Sequence, residues 1–245
     1  MSNFLSGRTS LTTVQTADIA DNAITLAKMA SGTDGQVLSY DASGNPVALG
    51  PGTDGQVLTS TGAGSPPAFE AVGGAGKILE VIPLVCDGSS ATGVSGSYTS
   101  TDVTAVQNST QTYADITGSS INYTPPSGTS AVIYEFQFLT GYADATAALH
   151  LKLFLAGTEV TDARGGFSTY SMIENRPYFK WVFRVGDGDD AGAGKVATWS
   201  SGKIIKLQVR DYSASTTVKI HETAYWDGTG GSHVGKPVLT VTAID

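Results

Sequence analysis

Strict period-two alternation of large apolar and polar side chains runs through the chain from residue 132 onward and restricts that part to β structure. Val132, Tyr134, Phe136 and Phe138 fall on one face, with Glu135 and Gln137 on the other. Leu149, Leu151, Leu153 and Leu155 alternate with His150, Lys152 and Phe154, and Phe179, Trp181, Phe183 and Val185 with Lys180, Val182 and Arg184. Ile205, Leu207 and Val209 alternate with Lys206, Gln208 and Arg210, Val218 and Ile220 with Lys219 and His221, and Leu239, Val241 and Ala243 close the series. Successive side chains of a strand point to opposite faces, so each segment has one side for a core and one for water. With 78–85 and 113–123 they make at least eight strands, and no long 3.6-residue periodicity interrupts them. Strands polar on one side belong to antiparallel sheets packed face to face, and an eight-strand jelly roll is the predicted fold of residues 77–245.

The region before it, residues 32–76, is poor in large side chains and repeats itself. Gly32-Thr-Asp-Gly-Gln-Val-Leu38 returns twenty residues later as Gly52-Thr-Asp-Gly-Gln-Val-Leu58. Each copy reads as a turn, a short strand, a second Gly-containing turn and a second short strand near Pro46–Leu49 or 68–70, which is a hairpin pattern. An isolated two-stranded hairpin is marginal in water. Each copy supplies few large apolar groups, chiefly Val37 and Leu38 or Val57 and Leu58, and repeat units need neighbours to bury their apolar faces. Two copies along one chain are too few, so the pattern predicts that other chains complete them.

Residues 1–31 are polar and hold one helical segment over 16–30. Ile19, Asn22, Leu26 and Met29 follow the alternating three- and four-residue spacing of a coiled-coil seam, Thr16 can cap it and Gly32 would stop it. The segment is too short to persist alone. Two readings stay open: packing against identical helices, where a seam Asn fixes register and oligomer number, or packing on its own chain.

The composition narrows the function. Of 245 residues, 14 are Lys or Arg and 22 Asp or Glu, a net charge of −8, and no basic run exists for phosphates to meet, so nucleic acid is not an expected partner. Nothing approaches the roughly 18 apolar residues of a membrane span, and Met1 to Arg8 has no signal-like apolar core, so the expectation is cytoplasmic synthesis without membrane insertion. The single Cys86 lies in an apolar run and reads as a buried thiol. His150, His221 and His233 form no metal or catalytic spacing, no nucleophile elbow occurs, and no glycine cluster has the setting of a phosphate cradle. No catalytic residue and no cofactor is assigned. Asp187, Asp189 and Asp190, on a Gly-rich turn, are the only residues with hard-cation chemistry, and a solvated hairpin tip is the favoured reading of them.

Ala17-Asp-Ile-Ala-Asp-Asn-Ala-Ile24, followed by the repeats and by Gly64-Ser-Pro-Pro-Ala-Phe69, resembles fibre-like structural proteins of tailed bacteriophages, particularly those of marine hosts. Thr112-Tyr-Ala-Asp-Ile-Thr-Gly-Ser-Ser-Ile-Asn-Tyr-Thr-Pro125 and Ala224-Tyr-Trp-Asp-Gly-Thr229 resemble the C-terminal domains of such fibres. The resemblance implies a virion protein made in the host cytoplasm, and a homotrimer with an N-terminal segment that docks on other virion proteins, a slender stalk and a β-rich head. On that expectation residues 1–31 anchor, 32–76 form the stalk and 77–245 the head. Receptor contact is expected from the loops 87–96, 165–176 and 186–194, and Tyr142, Tyr170 and Trp226 are candidate platforms for a host cell-surface glycan. Three alternatives accompany it: a head fibre or decoration protein of the capsid, a polysaccharide-cleaving spike, and a carbohydrate-binding module.

Overall fold

The structure, a computed structural model, describes residues 19–20, 31–71, 76–143, 147–169, 174–213, 216–223, 225 and 233–245. The chain divides into two compact units, Met1–Gly73 and Gly74–Asp245. Of the expected helix, Asn22, Leu26 and Met29 lie outside the described residues, and Ile19 is exposed.

The first unit contains two separate hairpins. Strand β1 (Val37–Tyr40) pairs antiparallel with β2 (Pro46–Leu49), Val37 opposite Leu49, and β3 (Gln56–Thr59) pairs with β4 (Ala68–Ala71), Gln56 opposite Ala71. The repeated motif makes the same turn twice. The Gln36 amide donates to the Thr33 carbonyl and the Gln56 amide to that of Thr53, each at 3.1 Å. The glutamine side chain reaches back in both copies, its Oε1 accepting from the amide of Thr33 or Thr53 at 2.7 Å. Gly35 and Gly55 take φ of 78° and 83°, the left-handed region that glycine enters without penalty. Threonine, glycine and glutamine of Thr-Asp-Gly-Gln therefore each have a local task, and none of it is burial; the following Leu38 is 61% exposed and Leu58 46%.

The second unit is the predicted sandwich. Eight strands build it: β5 (Ile78–Val85), β6 (Ile121–Tyr123), β7 (Ala131–Gln137), β8 (Ala147–Leu155), β9 (Thr158–Thr169), β10 (Tyr178–Val185), β11 (Lys203–Asp211) and β12 (Val238–Ile244). One sheet has the order β10-β7-β12-β5 and the other β6-β11-β8-β9, all antiparallel. The first, third, sixth and eighth strands thus share one sheet, and the second, fourth, fifth and seventh the other, which is the jelly-roll arrangement. Short segments extend both sheets: Lys195–Val196 runs parallel to β10, and Ala114–Asp115 lies on the same edge of β11 as β6.

The alternation read from sequence decides what is buried. Val132, Tyr134, Phe136, Leu239 and Val241 from the first sheet and Leu149, Leu153, Ile205, Leu207 and Val209 from the second belong to one core cluster. A buried side chain of this size contributes ~1.5–3 kcal/mol, so this cluster supplies the main drive for folding. Aromatic rings fill the end near β6, where Trp199 stands edge-on to Phe183 at 5.6 Å and donates its Nε1–H to the Tyr123 carbonyl at 3.0 Å.

One histidine departs from its expected place. His221 is fully buried, not on the polar face opposite Val218 and Ile220. The strand Val218–Ile220 ends one residue earlier, and His221 turns with φ of 69°, which carries its ring inward to stand edge-on to Phe138 at 6.3 Å.

Candidate functional site

The outer face of the β6-β11-β8-β9 sheet is polar by the same alternation that fills the core. Register sets its rows: His150 of β8 lies opposite Arg210 of β11 on one side and Gly166 of β9 on the other, and Lys152 lies opposite Gln208. Tyr113, just ahead of the Ala114–Asp115 segment on the far edge of β11, completes the row beside Arg210. Tyr113, His150, Lys152, Gly166 and Arg210 line an open trough of about 650 Å³, together with Leu151, Arg164 and Gly165. Gly166 keeps it open, since a Cβ there would stand 3.3 Å from the His150 ring and 3.1 Å from the Leu149 carbonyl.

The trough is cationic in an acidic chain. Lys152 Nζ sits 4.6 Å from the Tyr113 ring centroid and the Arg210 guanidinium 5.1 Å from it, so two cations gather about one aromatic ring. Glu159 is the counterweight: its carboxylate accepts from Arg164 at 2.6 Å and from Lys152 at 2.9 Å. Those two hydrogen bonds hold its carboxyl down at about 2, well below the usual range, so it stays ionised. Arg210 has no carboxylate partner among the described residues; its Nη2 is 3.5 Å from His150 Nδ1, and its Nε is buried without a hydrogen-bond partner. Tyr212, 71% exposed, stacks at a tilt beside His150 with ring centroids 5.9 Å apart. The arrangement suits an anion beside a flat apolar ring, because Arg offers paired N–H groups to a carboxylate or phosphate and tyrosine offers a ring face.

The sequence singled out other residues. Trp226 and Tyr170 lie outside the described residues, and Tyr142 falls in the strand Thr140–Ala143. The expected loops are partly strand: 87–96 contains Ser90–Thr92, paired with Ser97–Thr99, and 165–176 begins inside β9. On the Gly-rich turn the three aspartates act separately. Asp187 accepts from Arg184 at 3.4 Å, Asp189 from the Ala197 amide at 2.8 Å and Asp190 from the Ala193 amide at 3.2 Å. The turn is not the expected hairpin tip, since it joins β10 to the parallel Lys195–Val196 segment, and no group of three His, Cys, Asp or Glu is placed to hold a metal among the described residues. Among those residues, too, no helix is long and apolar enough to cross a membrane.

No protein-family model matches the chain, and no curated protein matches it. Among solved structures, the chain is similar to the structure of the infectious bursal disease virus Gx strain, at 12% identity and a TM-score of 0.34, over 81% of this chain and 44% of that one. It is also similar to the cycloalternan-forming enzyme from Listeria monocytogenes in complex with a pentasaccharide substrate, at 9% identity and a TM-score of 0.22, over 85% of this chain and 15% of that one. The chain thus spans less than half the length of either, and at these scores neither likeness carries weight for function.

Proposed function

We propose that this chain is a non-enzymatic structural component of a phage virion, a homotrimeric tail fibre or spike that presents its jelly-roll head to the host surface. The observation that carries the reading is the pair of self-contained hairpins whose apolar side chains, Leu38, Tyr40, Val57 and Leu58, stand exposed in the single chain. Sister copies would cover them. The head supports the same reading, since Ile78, Val81, Val85, Val182 and Val238 are all 40% exposed or more and lie on strands of one sheet. Residues 1–31 then anchor the assembly to other virion proteins, 32–76 act as spacer, and 77–245 face the host.

The test is the mass of the full chain in solution by light scattering, repeated on a Leu38→Asp, Leu58→Asp variant. A trimer that loosens in the variant supports the reading. A stable monomer at micromolar concentration overturns it.

A further inference from the structure

We propose that the trough on the outer face of the β6-β11-β8-β9 sheet binds an acidic saccharide, its carboxylate held by Arg210 and Lys152 and its ring lying against Tyr212. The inference rests on the reading of the head as a host-contacting domain and adds to it the place and the chemistry of the contact.

Charge comes first. A chain with 22 acidic against 14 basic residues repels polyanions in general, so attraction has to be local. Three cations, Lys152, Arg164 and Arg210, line this trough against the single carboxylate of Glu159. Two of them crowd one tyrosine ring, at 4.6 and 5.1 Å, and an anion between them relieves their mutual repulsion.

Unspent hydrogen-bonding capacity comes second. Arg210 has no carboxylate partner among the described residues, and its Nη2 stands only 3.5 Å from His150 Nδ1. The other cations of this face are differently placed: Lys206 is bound to Asp115 at 2.8 Å, and Lys152 and Arg164 share Glu159. Arg210 is the cation without a carboxylate, and Lys152 gives Glu159 only one of its three N–H groups. Shape comes third. The exposed Tyr212 ring, 5.9 Å from the ring of the lining residue His150, gives a flat apolar surface next to the trough, and Gly166 supplies a floor without a side chain. A sugar that carries a carboxylate has both halves of the complement, a C–H face for the ring and an anion for the fork.

The full-length chain is titrated by calorimetry with oligogalacturonate, with a neutral galactose-based oligosaccharide of equal length and with inorganic phosphate, all at one ionic strength. The expected result is binding of oligogalacturonate at least tenfold tighter than of either other probe. Arg210→Gln should weaken it about tenfold or more, and Tyr212→Ala, at an exposed ring with no fold to lose, should weaken it several-fold. Glu159→Gln should tighten it, because Lys152 and Arg164 are released to the ligand, while Lys206→Gln should leave it unchanged. Equal binding of acidic and neutral probes overturns the proposal, as does phosphate bound as tightly as the saccharide, or Tyr212→Ala and Glu159→Gln both without effect. Light scattering on the same samples separates the two readings. A monomer that still prefers the acidic probe removes the fibre and keeps the trough; a trimer indifferent to acid removes the trough and keeps the fibre.

Discussion

The hydroxyl of Tyr123 donates to Oε1 of Glu80 at 2.6 Å inside the sandwich, joining the first strand of one sheet to the first strand of the other. Glu80 is 7% exposed and has no cation against it among the ion pairs of the described residues. Its charge is spread instead over hydrogen bonds: Oε2 accepts from the Ser95 amide at 3.0 Å, and Oε1 also accepts from the Ser95 hydroxyl. Tyr98 extends the network, its hydroxyl 2.8 Å from that of Ser95 and donating to the Thr124 carbonyl at 2.9 Å. The turn after Ser90–Thr92 is thereby tied to the core.

Tyr123→Phe should therefore destabilise the protein by ~1–3 kcal/mol, because it keeps the ring and strips a donor from a buried carboxylate. Tyr178→Phe, which removes a hydroxyl from the exposed Tyr178–Glu135 contact, should cost less than about 0.5 kcal/mol. Urea denaturation of both variants measures the contrast, and equal losses would contradict the role given to Glu80.

Burial sets the acid limb of stability at His221. Desolvation pushes its imidazole down to about 4 from an ordinary 6.5, and the nearby Thr117 backbone opposes only part of that. An unfolded chain takes up a proton below 6.5 that the folded chain refuses until about 4, so stability falls as pH drops through that window and levels below it, by ~3 kcal/mol at most from this residue. His221→Asn, a residue that tolerates the φ of 69°, should flatten that limb. Urea midpoints between pH 7 and pH 4.5 give the reading, and parallel curves for the two proteins would exclude His221 as the cause.

Asp211 is a buried carboxylate that the sandwich would hold more easily uncharged. It is 4% exposed, its Oδ1 has no hydrogen-bond partner, and burial raises its pKa against the opposing bond with Ser109. Asp211→Asn keeps an acceptor and removes the charge, so it should stabilise by about 1 kcal/mol at pH 7, roughly 2–4 °C in Tm for a domain of this size. Calorimetric Tm values decide it, and a lower Tm for the variant would show that the charge is used.

Cys86 should be silent in the native protein. Burial pushes its thiol up to about 11, and Sγ–H donates to the Gly118 carbonyl at 3.3 Å in a fully enclosed site. Alkylation should thus proceed only through unfolding and track the denaturant curve. Gly118→Ala should open that site: with φ of 88°, its Cβ would stand 2.9 Å from Val103 and 3.1 Å from Cys86 Sγ. Rapid labelling of the unaltered chain in buffer would overturn the assignment.

What could be read from sequence follows the range of the forces involved. The alternation at 132–138, 149–155 and 205–209 is local, and it fixed which side chains enter the core before any strand was paired. The hairpins at 37–49 and 56–71 were equally legible, because turn and strands lie within twenty residues. The trough was not, because it exists only through register. His150 and Arg210 are sixty residues apart and meet because β8 pairs with β11, and Tyr113 joins them from a third segment. The polar faces of both strands were visible in the sequence, but nothing local said that they adjoin. His221 failed for a smaller reason: the period-two pattern carries no mark of the residue at which a strand stops.

Each hairpin of the repeat region closes its backbone hydrogen bonds within its own copy, β1 with β2 and β3 with β4, and shares none with the other. A gene encoding such a chain can gain or lose a copy by unequal recombination without stranding half a sheet. Length then changes by whole hairpins.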